Sequence, residues 1–165
     1  PLPEAQLDRF MFNVVMDYLA EDEEVEVVRR TATEPVAEIE PLFDGADVLN
    51  FQQLVRTVPV AEELARYAVR LAAVSRPRRK DAPDFVNDYL TWGAGTRAAQ
   101  YLVLGAKARA LLQGRVHVTC ADLTELAAPV LRHRLLLNYR AEAEGLTVGD
   151  TIKRLLATVP GPLEK

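Results

Sequence analysis

The chain has 165 residues, of which 49% are hydrophobic and 27% charged, with a formal net charge of -4; this is enough for one globular domain with its own core. The acidic balance argues against broad binding to nucleic acid or to an anionic membrane, since both need a surplus of Lys and Arg. A single cysteine, Cys120, excludes an internal disulfide and fits a reducing compartment, and no apolar run reaches the roughly 20 residues of a bilayer span.

The opening Pro1-Leu2-Pro3-Glu4 has no initiator Met, basic segment or signal-like stretch, and reads as internal to a longer chain. Phe10 to Met16 (FMFNVVM) is short, apolar and rich in aromatic and β-branched residues, which predicts a buried strand. A lone strand cannot satisfy its own backbone groups, so it implies a sheet this chain does not contain or only begins. Glu21 to Arg30 is acidic first and basic last, which suits a helix and its macrodipole. Thr33 to Asp44, with Pro35 and Pro41, reads as a connector.

From Asp47 onward the pattern is helical almost to the end. Asp47 is expected to cap a helix with Val48, Phe51 and Leu54 or Val55 on its apolar face, interrupted at Pro59. The next helix places Val60, Leu64, Ala68, Leu71 and Ala72 on one face and stops at Pro77. Arg76 to Asp81 (RPRRKD) is a basic loop, and Asp84 to Trp92 a short helix closed by Gly93. Thr96 starts a long helix that Gly114 ends. Thr119 with Asp122, and Thr147 with Asp150, carry the start signal of a capping box. Leu123, Leu126, Ala127 and Val130 to Leu131 form the face of the helix after Thr119, with a bend expected at Pro129. Pro160 to Lys165 reads as a flexible tail. The fold class is mainly α: a helical bundle preceded by one strand.

Several chemistries are absent. The sequence has no G-x-x-x-x-G-K-[ST] phosphate loop and no Cys/His metal cluster. His117 and His133 lie sixteen positions apart without obvious ligand partners and read as structural or exposed. Cys120, at a helix start, reads as a small first-turn residue. Two arginines are more informative. Arg97 falls on the first turn of a helix, after Gly93-Ala94-Gly95-Thr96. A cation is disfavoured at that partly positive end. Free backbone N–H groups and a guanidinium converging there make a good anion site, against the plainer reading of a solvated arginine. Arg9, in Gln6-Leu7-Asp8-Arg9-Phe10, precedes the expected strand, and spacing alone gives it no role.

The stretch PLPEAQLDRFMF (Pro1 to Phe12) resembles a signature segment of the MoxR family of AAA+ ATPases. The rest agrees in order: DVLNFQQLVRTVPV (Asp47 to Val60), WGAGTRAAQYLVLGAKARALLQGR (Trp92 to Arg115) and VTCADLTELAAPVLRHRL (Val118 to Leu135). Gly93 to Ala98 (GAGTRA) is similar to that family's sensor-2 motif, usually GASPRA, with Gly95-Thr96 in place of Ser-Pro and Thr96 a plausible N-cap. The resemblance implies that residues 1–44 are the C-terminal remnant of an α/β core, 45–158 a helical lid and 159–165 a tail. Arg9 would be an arginine finger reaching the nucleotide of a neighbouring subunit. Arg97, with Gly95 and Thr96, would contact phosphate from the lid of its own subunit.

The resemblance further implies ATP and Mg²⁺ in a longer, cytoplasmic parent, and a homo-oligomeric ring, a hexamer, as the assembly. Von Willebrand A-domain proteins would be partners, and chaperone-like remodelling or maturation the task. Lacking both Walker motifs, this chain is expected to be inactive alone. The competing reading is a free-standing helical interaction module, with Arg76 to Lys80 as its most visible contact patch. A nucleic-acid binder is opposed by the acidic balance.

Overall fold

In a computed structural model, the described residues are 2–33 and 38–162. The architecture is almost wholly helical. A one-turn α1 (Glu4–Leu7) is followed by an irregular segment, then α2 (Glu21–Thr33) and α3 (Gly45–Thr57). The bundle proper comprises α4 (Glu62–Val74), α5 (Asp84–Tyr89), α6 (Thr96–Leu112), α7 (Cys120–Glu125), α8 (Ala127–Leu131), α9 (Tyr139–Ala143) and α10 (Val148–Thr158). A small antiparallel ribbon pairs β1 (Leu90–Trp92) with β2 (Leu136–Leu137), with Leu90 opposite Leu137 and Trp92 opposite Leu136. None of the described helices is long and apolar enough to cross a membrane.

Helix α6 is the axis. Helices α3, α4, α7 and α8 all pack on it. Its buried residues are Ala98, Ala99, Leu102, Gly105, Ala106 and Ala110, mostly small, so neighbouring backbones approach closely. Against it α4 presents Leu64, Tyr67, Ala68, Leu71 and Ala72, spaced i, i+3, i+4, i+7, i+8 as one helical face requires. Leu123, Ala127, Val130, Leu131, Ile152 and Leu155 complete the core. Asp122 is fully buried beneath this layer. It accepts hydrogen bonds from Arg109 (2.7 Å), from both terminal nitrogens of Arg115 (2.6 and 2.8 Å), and from the Thr119 backbone N–H (2.9 Å) and hydroxyl (2.9 Å). Burial would raise its pKa, but those donors outweigh burial and hold the carboxyl well below the usual carboxylate range.

The mainly helical class and most helix starts agree with the sequence pattern. Several details differ, each for a local reason. Phe10 to Met16 forms no strand, because the chain offers it no neighbour to pair with; it bends at Phe10 and Met11 and continues without regular structure, and Asn13 N–H donates instead to the Pro129 carbonyl (2.8 Å). Asp44, not Asp47, caps α3; Asp47 is the third helical residue and returns the bond to the Asp44 N–H (3.0 Å), completing a capping box. The helix from Asp84 ends at Tyr89, and Leu90 to Trp92 turns extended because Leu136 to Leu137 gives it a partner. That second strand and α9, capped by Asn138, carry no periodic signal of their own. Gly95, not Thr96, is the N-cap of α6.

The helix is broken at Leu126, three residues before Pro129, into α7 and α8 rather than bent at the proline. The expected tail is anchored where it begins. Val159 is buried, and a Cβ on Gly161 would lie 2.6 Å from the Cys120 sulfur; residues 163–165 lie outside the described residues, as do 34–37 of the expected connector.

Candidate functional site

The loop that launches α6 is held from behind. The Ser75 hydroxyl accepts from the Ala94 N–H (2.9 Å), and Arg76 Nε donates to the Ala94 carbonyl (2.7 Å). Gly93 is packed so tightly that a Cβ would collide with the Ser75 carbonyl and Arg76 Cα, so only glycine passes here. Within the basic loop Arg76 is spent on positioning α6 and Arg79 pairs with Asp81 (2.9 Å), while Arg78, Arg79 and Lys80 are exposed. No side chain caps the first turn of α6, whose N-cap is Gly95.

Arg97 projects from that first turn and donates to Asp8 Oδ2 (2.6 Å). Asp8 precedes Arg9, so Arg97 is bonded to the residue next to the other arginine singled out in the sequence, while the second oxygen of that carboxylate goes to Arg134. The Arg9 side chain is exposed and makes no recorded hydrogen bond or ion pair among the described residues. Its backbone is held: Tyr101 Oη donates to the Arg9 carbonyl (2.9 Å). One turn further, Gly105 lets the same segment pass. A Cβ there would meet Leu126 Cδ1 at 2.9 Å, Met11 Cε at 3.2 Å and Phe12 Cζ at 3.2 Å. Arg97, Tyr101 and Gly105, each four residues apart, thus form one stripe of α6 facing residues 8–12.

The opposite wall is the end of α8. Arg134, with only 1% of its side chain exposed, spends all five of its N–H donors. Nε bonds Asp8 Oδ1 (2.9 Å); one terminal nitrogen bonds the Asp8 and Phe10 carbonyls (2.8 and 2.6 Å); the other bonds the Met11 carbonyl (3.4 Å) and that of Val130. The guanidinium also lies 5.2 Å from the Tyr101 ring centroid. Burial lowers its pKa and Asp8 opposes the shift. His133 Nε2 lies 3.0 Å from the Phe10 carbonyl, which can only accept, so that nitrogen carries the proton and Nδ1 is left buried without a partner. Burial lowers the His133 pKa, against the Phe10 bond. Arg132 reaches the Asn13 carbonyl (3.1 Å).

The structure thus brings Arg9 and Arg97 to one place and separates Gly95 from Thr96. Gly95 lines a cleft of about 380 Å³ with Asp8, Trp92, His133 and Arg134, whereas Thr96 lines a second groove with Gln100 and Lys107. Sequence reasoning passed over Asp8, Tyr101 and the Arg132-His133-Arg134 triplet. The one available signal was the clustering of three cationic or titratable residues in LRHRL, beside an apolar helix end. Among the described residues no cluster suits a metal ion.

Comparison with known proteins gives this arrangement its context. Residues 84–155 match the family described as the AAA lid domain. The chain is 33% identical over 162 residues to the chaperone MoxR1 of Mycobacterium tuberculosis and 29% identical over 166 residues to YeaC of Bacillus subtilis, covering 98% and 100% of this chain but 43% and 49% of theirs. A crystal structure of a protein from Cytophaga hutchinsonii, assigned as an ATPase, superimposes with a TM-score of 0.91 at 35% identity, over 99% of this chain and 50% of that one. The chain therefore spans about half the length of the relatives it matches. With an AAA lid match over residues 84–155 and relatives of MoxR type along nearly its whole length, the chain is similar throughout to a lid-bearing segment of the MoxR-type AAA+ ATPases.

Proposed function

We propose that this chain is the nucleotide-sensing lid end of a cytoplasmic ATPase. In the longer protein it would couple ATP binding and hydrolysis to chaperone-like remodelling or maturation of protein complexes. Residues 1–44 continue an α/β core, 45–158 are the lid, and the segment from 159 is a tail whose first residues lie on the lid. The assembly is a homo-oligomeric ring, a hexamer, with von Willebrand A-domain proteins as candidate partners. The chain by itself is inactive, since it contains neither Walker motif.

The observation that supports this most is the pairing of Arg97 with Asp8. An uncapped helix N-terminus bearing a half-buried guanidinium fits an oxyanion, and that guanidinium already donates to a carboxylate oxygen of Asp8. The donors present suit phosphate oxygens. Bound ATP and Mg²⁺ would supply the phosphoryl group and the metal charge. Arg97 would orient a phosphate from within its subunit, with Gly95 and Thr96 beside it. Arg9, exposed beside Asp8, would project to the neighbouring subunit and offset charge there.

The test is steady-state ATP turnover and nucleotide affinity in the full-length protein. Arg9→Ala is expected to remove most turnover while each subunit still binds nucleotide. Arg97→Ala is expected to weaken affinity or its coupling to turnover. Parental values for both variants would refute the reading and leave the helical interaction module in its place.

A further inference from the structure

We infer that Arg132, His133, Arg134 and Tyr101 form a clamp that positions Arg9, so that the lid of one subunit sets how its finger is presented to the next subunit's nucleotide site. The inference rests on the reading of Arg9 as a finger acting in trans, and adds the groups that hold it.

Residues 8–11 turn and bend after α1, and residues 12 and 13 follow without regular structure, so the carbonyls of this segment need partners from elsewhere. Here they are taken by lid side chains, one after another: Asp8, Phe10 and Met11 by Arg134, Phe10 also by His133, Arg9 by Tyr101 and Asn13 by Arg132. Four of the five acceptors of Arg134 belong to this segment, and the fifth, Val130, is on α8, just before the turn that carries Arg134. A buried guanidinium costs much unless every donor is matched, and here the matching is almost wholly to the finger segment. Bonds fall on residues 8, 9, 10, 11 and 13, so the backbone is fixed on both sides of Arg9 while its side chain stays exposed.

The clamp also touches the other arginine. Asp8 gives one carboxylate oxygen to Arg134 and the other to Arg97. Whatever draws Arg97 away from Asp8 changes a group that Arg134 holds and that sits next to Arg9. The path from a subunit's own phosphate contact to its finger is therefore one hydrogen bond, Arg97 to Asp8, and one peptide unit long. Arg134 and Tyr101 are positioning residues and touch no reacting atom.

The experiment uses mixed rings of the full-length protein. One subunit type is wild type; the other has its phosphate-loop lysine, outside this chain, replaced, so that its remaining part in turnover is to present its finger. Into this second type go Arg9→Ala, Arg134→Lys or Tyr101→Phe. With Arg9→Ala, turnover by the wild-type neighbours is expected to fall. Arg134→Lys is expected to lower it on the order of 10-fold, as a small misplacement of a catalytic group does, with nucleotide affinity of the wild-type sites unchanged. Tyr101→Phe removes one hydroxyl and keeps the ring, so it keeps the test alive if Arg134→Lys does not fold; a fall of a few-fold is expected. A fall with Arg9→Ala but with neither clamp variant overturns the clamp and leaves the finger reading standing. No fall with Arg9→Ala overturns the finger reading, and the clamp's role with it.

Discussion

The two halves of the chain bury their apolar residues differently. Among the described residues before Val58 not one is buried, although Phe10, Val14, Val15, Leu19, Val25, Val28, Val48, Leu49 and Leu54 all lie there. From Val58 to Val159 there is a continuous core around α6. The first half has well-formed helices, yet helix formation and burial are separate matters. A capping box on α3, an acidic first turn in α2 and the i,i+4 pair of Arg30 with Glu26 support local helices. Burial needs an opposing surface, and this chain gives the second half one and the first half almost none. The main exception is residues 8–13, which the second half holds chiefly through polar contacts; α3 also touches α6.

The sharpest way to break this comparison is a pair of leucines. Leu131 is 0% exposed and Leu49 60%. Leu131→Ala should cost about 3 kcal/mol, whereas Leu49→Ala should change stability by less than about 0.5 kcal/mol, both read by denaturant unfolding of this chain. Equal losses would mean the first half is packed after all.

Next is Asp122→Asn, which leaves Arg109 and Arg115 without their shared carboxylate. A loss of about 2–3 kcal/mol is expected, below the full cost of breaking a buried pair because both arginines are about a third exposed. The Asp122 pKa is lowered on folding, so the unfolded chain takes up its proton first, near the ordinary value of 3.8. Its contribution is present above that pH and fades as pH falls below it. Acid unfolding monitored by circular dichroism should therefore show a steeper decline below about pH 4 in the parent than in the variant.

Gly105→Val tests whether the exception is real. The added atoms meet Met11, Phe12 and Leu126, so a loss of about 1–2 kcal/mol is expected, with faster hydrogen exchange at the Asn13 amide, which bonds the Pro129 carbonyl. Unchanged exchange would show that the segment does not lie on α6.

The smallest effect concerns His133. Its folded pKa is lowered, so as pH falls through the ordinary value of 6.5 the unfolded state gains a proton that the folded state resists, and stability declines. The melting temperature should drop on the order of a few degrees between about pH 7.5 and 5.5, with part of that drop absent in His133→Asn.

The helical class, the long α6 and the starts at Thr119 and Thr147 were legible in the sequence because periodicity and capping are local. Phe10 to Met16 was misread because strand propensity says nothing about whether a partner is present. Leu90 to Trp92 was misread in the opposite sense: a helical pattern yielded to a partner strand almost fifty residues away. At the site, Arg97 was legible from an electrostatic anomaly, a cation on a positive helix end. Arg134 was not, since a buried guanidinium is defined by distant carbonyls that no spacing rule reaches.

The grip of Arg134 on main-chain oxygens has a consequence of its own. Every acceptor it uses except the Asp8 carboxylate is a backbone carbonyl, and any residue type supplies one. The clamp thus checks the path of the chain and is blind to most of its lettering. As far as this grip is concerned, Phe10 and Asn13 are free to change to suit whatever surface lies opposite, provided the backbone keeps its course, and only Asp8 is held to its identity. A machine part built this way can be refitted to new neighbours without loosening its mounting.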